Sequence, residues 1–287
     1  MPSKTKTVTG ARWRAYRAAT FRLSPRLKLK SPDDAVRFVD ERGFVYFWPN
    51  KGVDLPSLWS AVAGDRPVAD AHDDPGHITW GWKDKLLPSK RWYYGKLLRG
   101  RATMVALPVL PYFYALSENF GDAADYLLQY NEGRLSQAAK AILEVLLAQG
   151  PLHTVGLRRE TRMTAKDSNT RFDRALTELQ VGLKILPVAV AEVGAWRYSF
   201  VYELIDRHFP DLPQAARPIG RAQARCHLLD LYLQSVGAAT QAQMVSLFRW
   251  KPAEVQAALL ALAESGRARA VERLAGQVGA WWLSTAL

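Results

Sequence analysis

Between residues 135 and 202 the apolar period changes once, from helical to two, and that change limits what the chain can fold into. Leu135, Ala139, Ile142, Leu146 and Gln149 recur at helical spacing, with Ser136 placed as a cap and Gly150-Pro151 as a stop. A short second helix is expected from Thr154 to Thr161, entered through a hydroxyl side chain. A third runs from Ser168 to Val181, with Phe172, Leu176 and Leu179 as its apolar stripe. Residues 184–191 then read as an apolar strand and Glu192-Val193-Gly194 as a turn, and Trp196, Tyr198, Phe200 and Tyr202 alternate down a second strand. Three helices and a hairpin in that order make a helix-turn-helix with a wing. Its third helix is the one such folds present to a DNA groove.

The C-terminal part reads as a repeat of this plan. Residues 142–147 are echoed by 228–233, an offset of 86, and Val193-Gly194-Ala195-Trp196 returns as Val278-Gly279-Ala280-Trp281, an offset of 85. Two echoes at nearly one offset point to a repeated structural unit. The intervening pieces fit, with a short helix after Thr240, a third helix from Pro252 and a hairpin over residues 267–283. The fold class expected is mainly α with small β-wings (α+β), with tandem winged helix-turn-helix domains behind an N-terminal helical, aromatic-rich domain. The boundaries expected are a basic arm over 1–30, the helical and aromatic domain over 31–133, one winged helix over 134–210 and a second over 211–287. Pro210 to Pro218 reads as the linker between the winged units.

Charge then narrows the partner. A formal net charge of +12 on 287 residues favours a polyanion, and nucleic acid before an acidic membrane surface. Residues 1–30 carry Lys4, Lys6, Arg12, Arg14, Arg17, Arg22, Arg26, Lys28 and Lys30 with no acid, interleaved with Trp13, Tyr16 and Phe21. Such an arm can lie along phosphates. No run approaches the roughly 18 apolar residues that span a bilayer, and no apolar segment of a secretory signal follows the basic N-terminus. Cys226 is the only cysteine, which leaves no disulfide framework and no cysteine-based zinc site, and it falls in the apolar stripe of a helix. A cytoplasmic protein with double-stranded DNA as partner, no membrane, no cofactor and no metal is the expectation.

The candidate side chains fall into three groups. In the first winged unit Arg158, Arg159, Arg162 and Lys166 lie around the second helix and the loop after it. Arg171 and Arg174 share a face of the third helix, and Arg197 points off the wing opposite Trp196. Residues 80–130 hold a second basic stretch, with Lys83, Lys90 and Arg91 as candidate phosphate contacts, and Trp80 and Trp82 as rings on which a base could stack. Asp70, His72, Asp73, Asp74 and His77 gather metal-ligand and general-base residue types within eight positions, at a spacing that matches no zinc pattern. They are the candidate catalytic residues. No Gly-rich phosphate loop, nucleophile elbow or zinc-protease helix occurs.

The tandem winged units, with the runs 44–59 and 80–117, resemble the AlkZ (YcaQ-like) group of bacterial DNA glycosylases over most of residues 31–285. The resemblance implies a winged-helix protein that acts on DNA and unhooks alkylated bases from interstrand crosslinks. It also implies a Gln-X-Gln or Gln-X-Asp motif near the N-terminus, which positions the water that attacks the sugar. This chain has no glutamine before Gln129. Gln241-Ala242-Gln243 matches the letters, but Thr240 and Gln243 have the spacing of a capping box. The main expectation is therefore a DNA-binding relative of crosslink-repair glycosylases, holding duplex or damaged DNA through basic surfaces. One alternative is an active glycosylase that hydrolyses the N-glycosidic bond of an alkylated base with a non-standard carboxylate, Asp73 or Asp74. The other is a protein–protein scaffold.

Overall fold

In the computed structural model, which describes residues 8–194 and 196–287, the chain divides at Thr79 and again at Arg221. The residues up to Thr79 group with Ala222–Leu287, and Trp80–Arg221 form the second unit. The division falls inside the stretch expected to be one domain over 31–133. The protein is α+β, with small antiparallel sheets.

Within Trp80–Arg221 the expected three helices and hairpin are present over residues 137–204. Helix Gln137–Gln149 starts where Ser136 Oγ accepts the Ala139 amide at 3.2 Å, and stops at Gly150 in a left-handed conformation. Helix Thr154–Glu160 follows, capped not by a hydroxyl but by His153, whose Nδ1 accepts the Gly156 amide at 3.0 Å. Helix Asn169–Val181 buries Phe172, Leu176 and Leu179 against Ile142, Leu143 and Leu146. Each such side chain contributes about 1.5–3 kcal/mol by leaving water. The returning strand Ser199–Leu204 is central, with Ile185–Ala191 on one side and Leu152–His153 on the other. The strand begins at Ser199, so Trp196 and Tyr198 precede it, and Trp196 is 91% exposed in the turn.

Ahead of this segment lie helix Ile78–Leu86 and an antiparallel pair, Tyr93–Lys96 with Ala102–Val105. The expected linker is folded: it holds helix Leu212–Ala216, in which Leu212 and Ala216 are buried.

The other unit contains helix Pro32–Arg42, entered through Ser31 and ended at Gly43, and helix Leu58–Ala63, capped by Ser57 and closed at Gly64. Its C-terminal part runs through helices Arg221–Val236, Gln241–Phe248 and Pro252–Glu264. A sheet follows, in the order Ala238–Thr240, Gln277–Ser284, Ala268–Leu274. Element order and strand order thus repeat those of residues 137–204. The helix stops Gly150 and Gly237 and the caps His153 and Thr240 are both 87 residues apart, one more than the first sequence echo. The second echo is accidental. Gly194 and Trp196 lie in a turn, whereas Val278–Trp281 lie inside a strand with Trp281 buried.

The expected basic arm is a docked helix where it is described; its first residues, Lys4 and Lys6 among them, lie outside the described residues. Helix Gly10–Thr20 donates from Trp13 Nε1 to the Val236 carbonyl at 2.9 Å and from Tyr16 hydroxyl to the Gln234 carbonyl at 2.6 Å. Trp13 meets Trp281 edge-on at 5.6 Å. The Trp13 and Tyr16 rings close on Gly237, where φ is +78° and a Cβ would stand 2.9 Å from the Tyr16 ring. Only glycine fits there. The aromatic residues between the basic ones were the anchor, which is why this stretch packs instead of trailing in solvent.

No helix among the described residues is long and apolar enough to cross a membrane.

Candidate nucleic-acid interface

Helix Asn169–Val181 turns Phe172 and Leu176 inward, so the residues flanking them must face out. Arg171 and Arg174 do so, on the wall of a cleft of about 670 Å³ whose opposite wall is the start of helix Gln137–Gln149. Arg162, held at a positive φ of 54°, and Lys166 are exposed in the loop entering the helix. None of these four cations makes an ion pair among the described residues.

Three of the acids near them are committed elsewhere, and Asp167, exposed in the loop, lines the same cleft. Glu178 accepts the Ser136 amide and hydroxyl, both at 2.7 Å, and so caps the neighbouring helix. Asp173 pairs with Arg158 at 3.3 Å and Glu160 with Arg159 at 3.0 Å. The mixed charge of the sequence therefore resolves into structural pairs and four uncommitted cations with one acid, Asp167, among them. Arg158 belongs with the former and is not free to meet phosphate. Its guanidinium lies 4.2 Å from the centre of the Phe172 ring and donates to Asn169 Oδ1 at 2.8 Å. Arg197 is exposed in the turn before strand Ser199–Leu204 and pairs with Glu192 at 2.8 Å.

Two of the residues expected in the second basic and aromatic stretch are placed differently. Lys83, expected to meet phosphate, is 1% exposed. Trp82, expected to stack on a base, is also buried. Trp80 is 42% exposed, and Lys90 and Arg91 lie on the surface beyond the helix. Helical geometry explains the split, because Trp80, Lys83 and Asp84 fall at i, i+3 and i+4 on one face. That face meets Tyr198 and, in the strand that follows it, Phe200. The Lys83 ammonium donates to Asp84 Oδ1 and, at 2.8 Å, to the Tyr198 hydroxyl, which itself donates to the same Oδ1 at 2.9 Å. Four rings surround it, with Phe200 and Trp80 centred 4.5 and 4.7 Å from Nζ and Tyr94 and Tyr198 slightly further off. Burial lowers the lysine below its ordinary range, and Asp84 partly offsets this. Burial likewise raises Tyr198, with the Asp84 bond adding to it.

The sequence reading missed Asp84 and Tyr198. The spacing of Trp80, Lys83 and Asp84 was a usable signal. The approach of Tyr198, more than a hundred residues on, left none.

The loop of candidate catalytic residues does not form a cluster. Asp74 Oδ1 accepts the Gly76 amide at 2.7 Å and pairs with Arg66 at 2.7 Å. The Arg66 hydrogen bond holds that carboxyl below its ordinary range. A carboxylate engaged in this way serves as a turn cap. Asp70, His72 and Asp73 are exposed, and His77 stands edge-on to Trp48 at 5.5 Å. Among the described residues no group of three or more His, Cys, Asp or Glu side chains gathers where it could hold a metal ion. Gln243 closes the expected capping box, its Oε1 accepting the Thr240 amide at 2.8 Å.

Comparison with known proteins bears on the fold and the family. The chain is similar in structure to the DNA glycosylase AlkZ of Streptomyces sahachiroi. The match has a TM-score of 0.56 at 14% identity and covers 97% of this chain and 70% of that one. At that identity the likeness is one of fold. No curated protein matches the sequence. The family described as AlkZ related matches residues 29–249, more than half of the chain. On that match the chain belongs to the AlkZ-related family.

Proposed function

We propose that this protein binds duplex DNA, intact or damaged, through a pair of winged helices, of which residues 137–204 form the first. The observation that carries the reading is the set of four cations, Arg162, Lys166, Arg171 and Arg174, around the third helix. None makes an ion pair among the described residues, while Glu178, Asp173 and Glu160 are tied into caps and pairs and Asp167 remains beside them. Cations left uncommitted beside a helix face are what phosphate contact requires. Lys90 and Arg91 add positive charge. The second segment, residues 221–284, supports the pairing of modules by its identical strand order. Membership of the AlkZ-related family, together with a fold like that of a DNA glycosylase, makes DNA the polyanion to test first.

The test is fluorescence anisotropy on a labelled duplex, with salt raised from about 50 to about 200 mM. Each phosphate neutralised contributes about 0.9 to the slope of log affinity against log salt. Arg171→Gln with Arg174→Gln should flatten the slope by about 1.8. Over that fourfold rise in salt, the parent should lose roughly twelvefold more affinity than the double variant. Lys51→Gln, an exposed lysine in the other unit, should leave the slope unchanged. No binding at either salt would remove DNA as the partner and favour a protein scaffold.

A further inference from the structure

The basic stretch at the start of the chain has two parts in the fold. Helix Gly10–Thr20 is docked, and the residues after it line a cavity of about 350 Å³ together with helix Pro32–Arg42. Leu29 is buried, so in this extended segment its neighbours Lys28 and Lys30 turn the other way. Arg26 joins them from the turn Pro25–Leu27, and Arg22 and Arg37 are the remaining cations of the lining. Two acids stand against these five. Each is already paired, Glu41 with Arg22 and Asp34 with Arg37, and Asp34 also accepts the Lys30 amide at 2.9 Å.

Three cations are left over. Lys28 is held in place: its ammonium donates to the Ala63 carbonyl at 3.0 Å, and its stem runs past Gly64, where a Cβ would stand 3.4 Å from it. That bond uses one of the three donors of an ammonium. Arg26 and Lys30 are exposed and make no ion pair among the described residues. All of these residues precede the two winged segments.

We infer that this cavity is a phosphate site outside both winged segments, and that it takes the sugar-phosphate backbone of duplex DNA. The inference rests on the DNA-binding reading above. Three unpaired cations around one opening repel one another until an anion enters, and a run of backbone phosphates supplies negative charge at every nucleotide. An arginine fork and an ammonium with spare donors both match phosphate oxygens. The lining offers nothing to a base, because its ring, Phe38, is 1% exposed and presents no face for stacking. The site therefore adds affinity without reading sequence.

The experiment is an anisotropy titration on two labelled duplexes of unrelated sequence, with salt raised from about 50 to about 200 mM. Arg26→Gln with Lys30→Gln should flatten the slope of log affinity against log salt by about 1.8 on both duplexes. Over that rise the parent should lose roughly twelvefold more affinity than the variant. Arg26→Lys with Lys30→Arg conserves the charge and should keep the parent slope. A free phosphate is the other source of the same chemistry, and thermal melting in inorganic phosphate against chloride at equal ionic strength tests for it. Stabilisation by phosphate that the double Gln variant loses, with its DNA slope unchanged, would place a free anion in the cavity and overturn the assignment to DNA. An unchanged slope without that stabilisation, or a flattening on one duplex alone, would also overturn it and leave the DNA-binding reading standing. No binding by the parent at either salt would overturn both.

Discussion

A lysine sealed among four rings should be worth less to the fold than the acid that pairs with it. Lys83 is 1% exposed and Asp84 is 23% exposed, and that difference sets the cost of removing each. Lys83→Met keeps most of the apolar stem and removes the ammonium. Asp84 retains the Tyr198 hydroxyl at 2.9 Å and takes up water on its open side. Replacing a buried ion by an apolar group of similar volume is often nearly neutral, so the change should cost no more than about 1 kcal/mol. Asp84→Ala takes away the carboxylate that pairs with the buried ammonium. An uncompensated buried charge costs about 3–5 kcal/mol. The penalty should also depend on pH. Burial lowers the folded-state pKa of Lys83 below that of the unfolded chain. The cost of the charge is therefore borne in full below the folded value and fades as pH rises toward the ordinary lysine range. Urea denaturation of the parent, each single variant and the double variant, at about pH 7 and about pH 10, reads all of this. The double variant should be more stable than Asp84→Ala at the lower pH. A Lys83→Met cost equal to or above that of Asp84→Ala, or a double variant no better than Asp84→Ala, would refute the reasoning.

Two further predictions concern other parts of the fold. Gly237→Ala places a methyl group 2.9 Å from the Tyr16 ring at a φ of +78°, and should cost about 2–4 kcal/mol. It should also free helix Gly10–Thr20 to exchange its amides faster than the rest of the chain, which hydrogen exchange would detect. Lys184, beside Asp206 and bonded to Asn119 Oδ1 at 2.7 Å, is lowered by burial to about 8. The folded state thus bears the cost of its charge below about pH 8, and is relieved of it as pH rises toward the ordinary lysine value near 10.5. Measured against Lys184→Met, the parent should gain stability across that window by at most about 3 kcal/mol, and a flat or falling difference would be the contrary result.

The sequence by itself determined the helices and the hairpin of residues 137–204 and their order. Ser136, Gly150 and the stripe Phe172, Leu176, Leu179 specify their helices through contacts within a few residues, and periodicity reads those directly. The capping box Thr240–Gln243 was legible for the same reason. What the sequence could not decide was which cations are committed. Arg158 and Arg171 look alike in the chain, yet one lies on Phe172 with Asp173 and the other stands in a cleft. Lys83 reads as a surface charge until the strand near Tyr198 closes over it. The basic stretch at Gly10–Thr20 reads as an arm until Trp13 and Tyr16 find Gly237, more than two hundred residues away. Local hydrogen bonds and apolar period are properties of neighbouring residues, whereas the burial and pairing of a charge depend on what the folded chain brings against it.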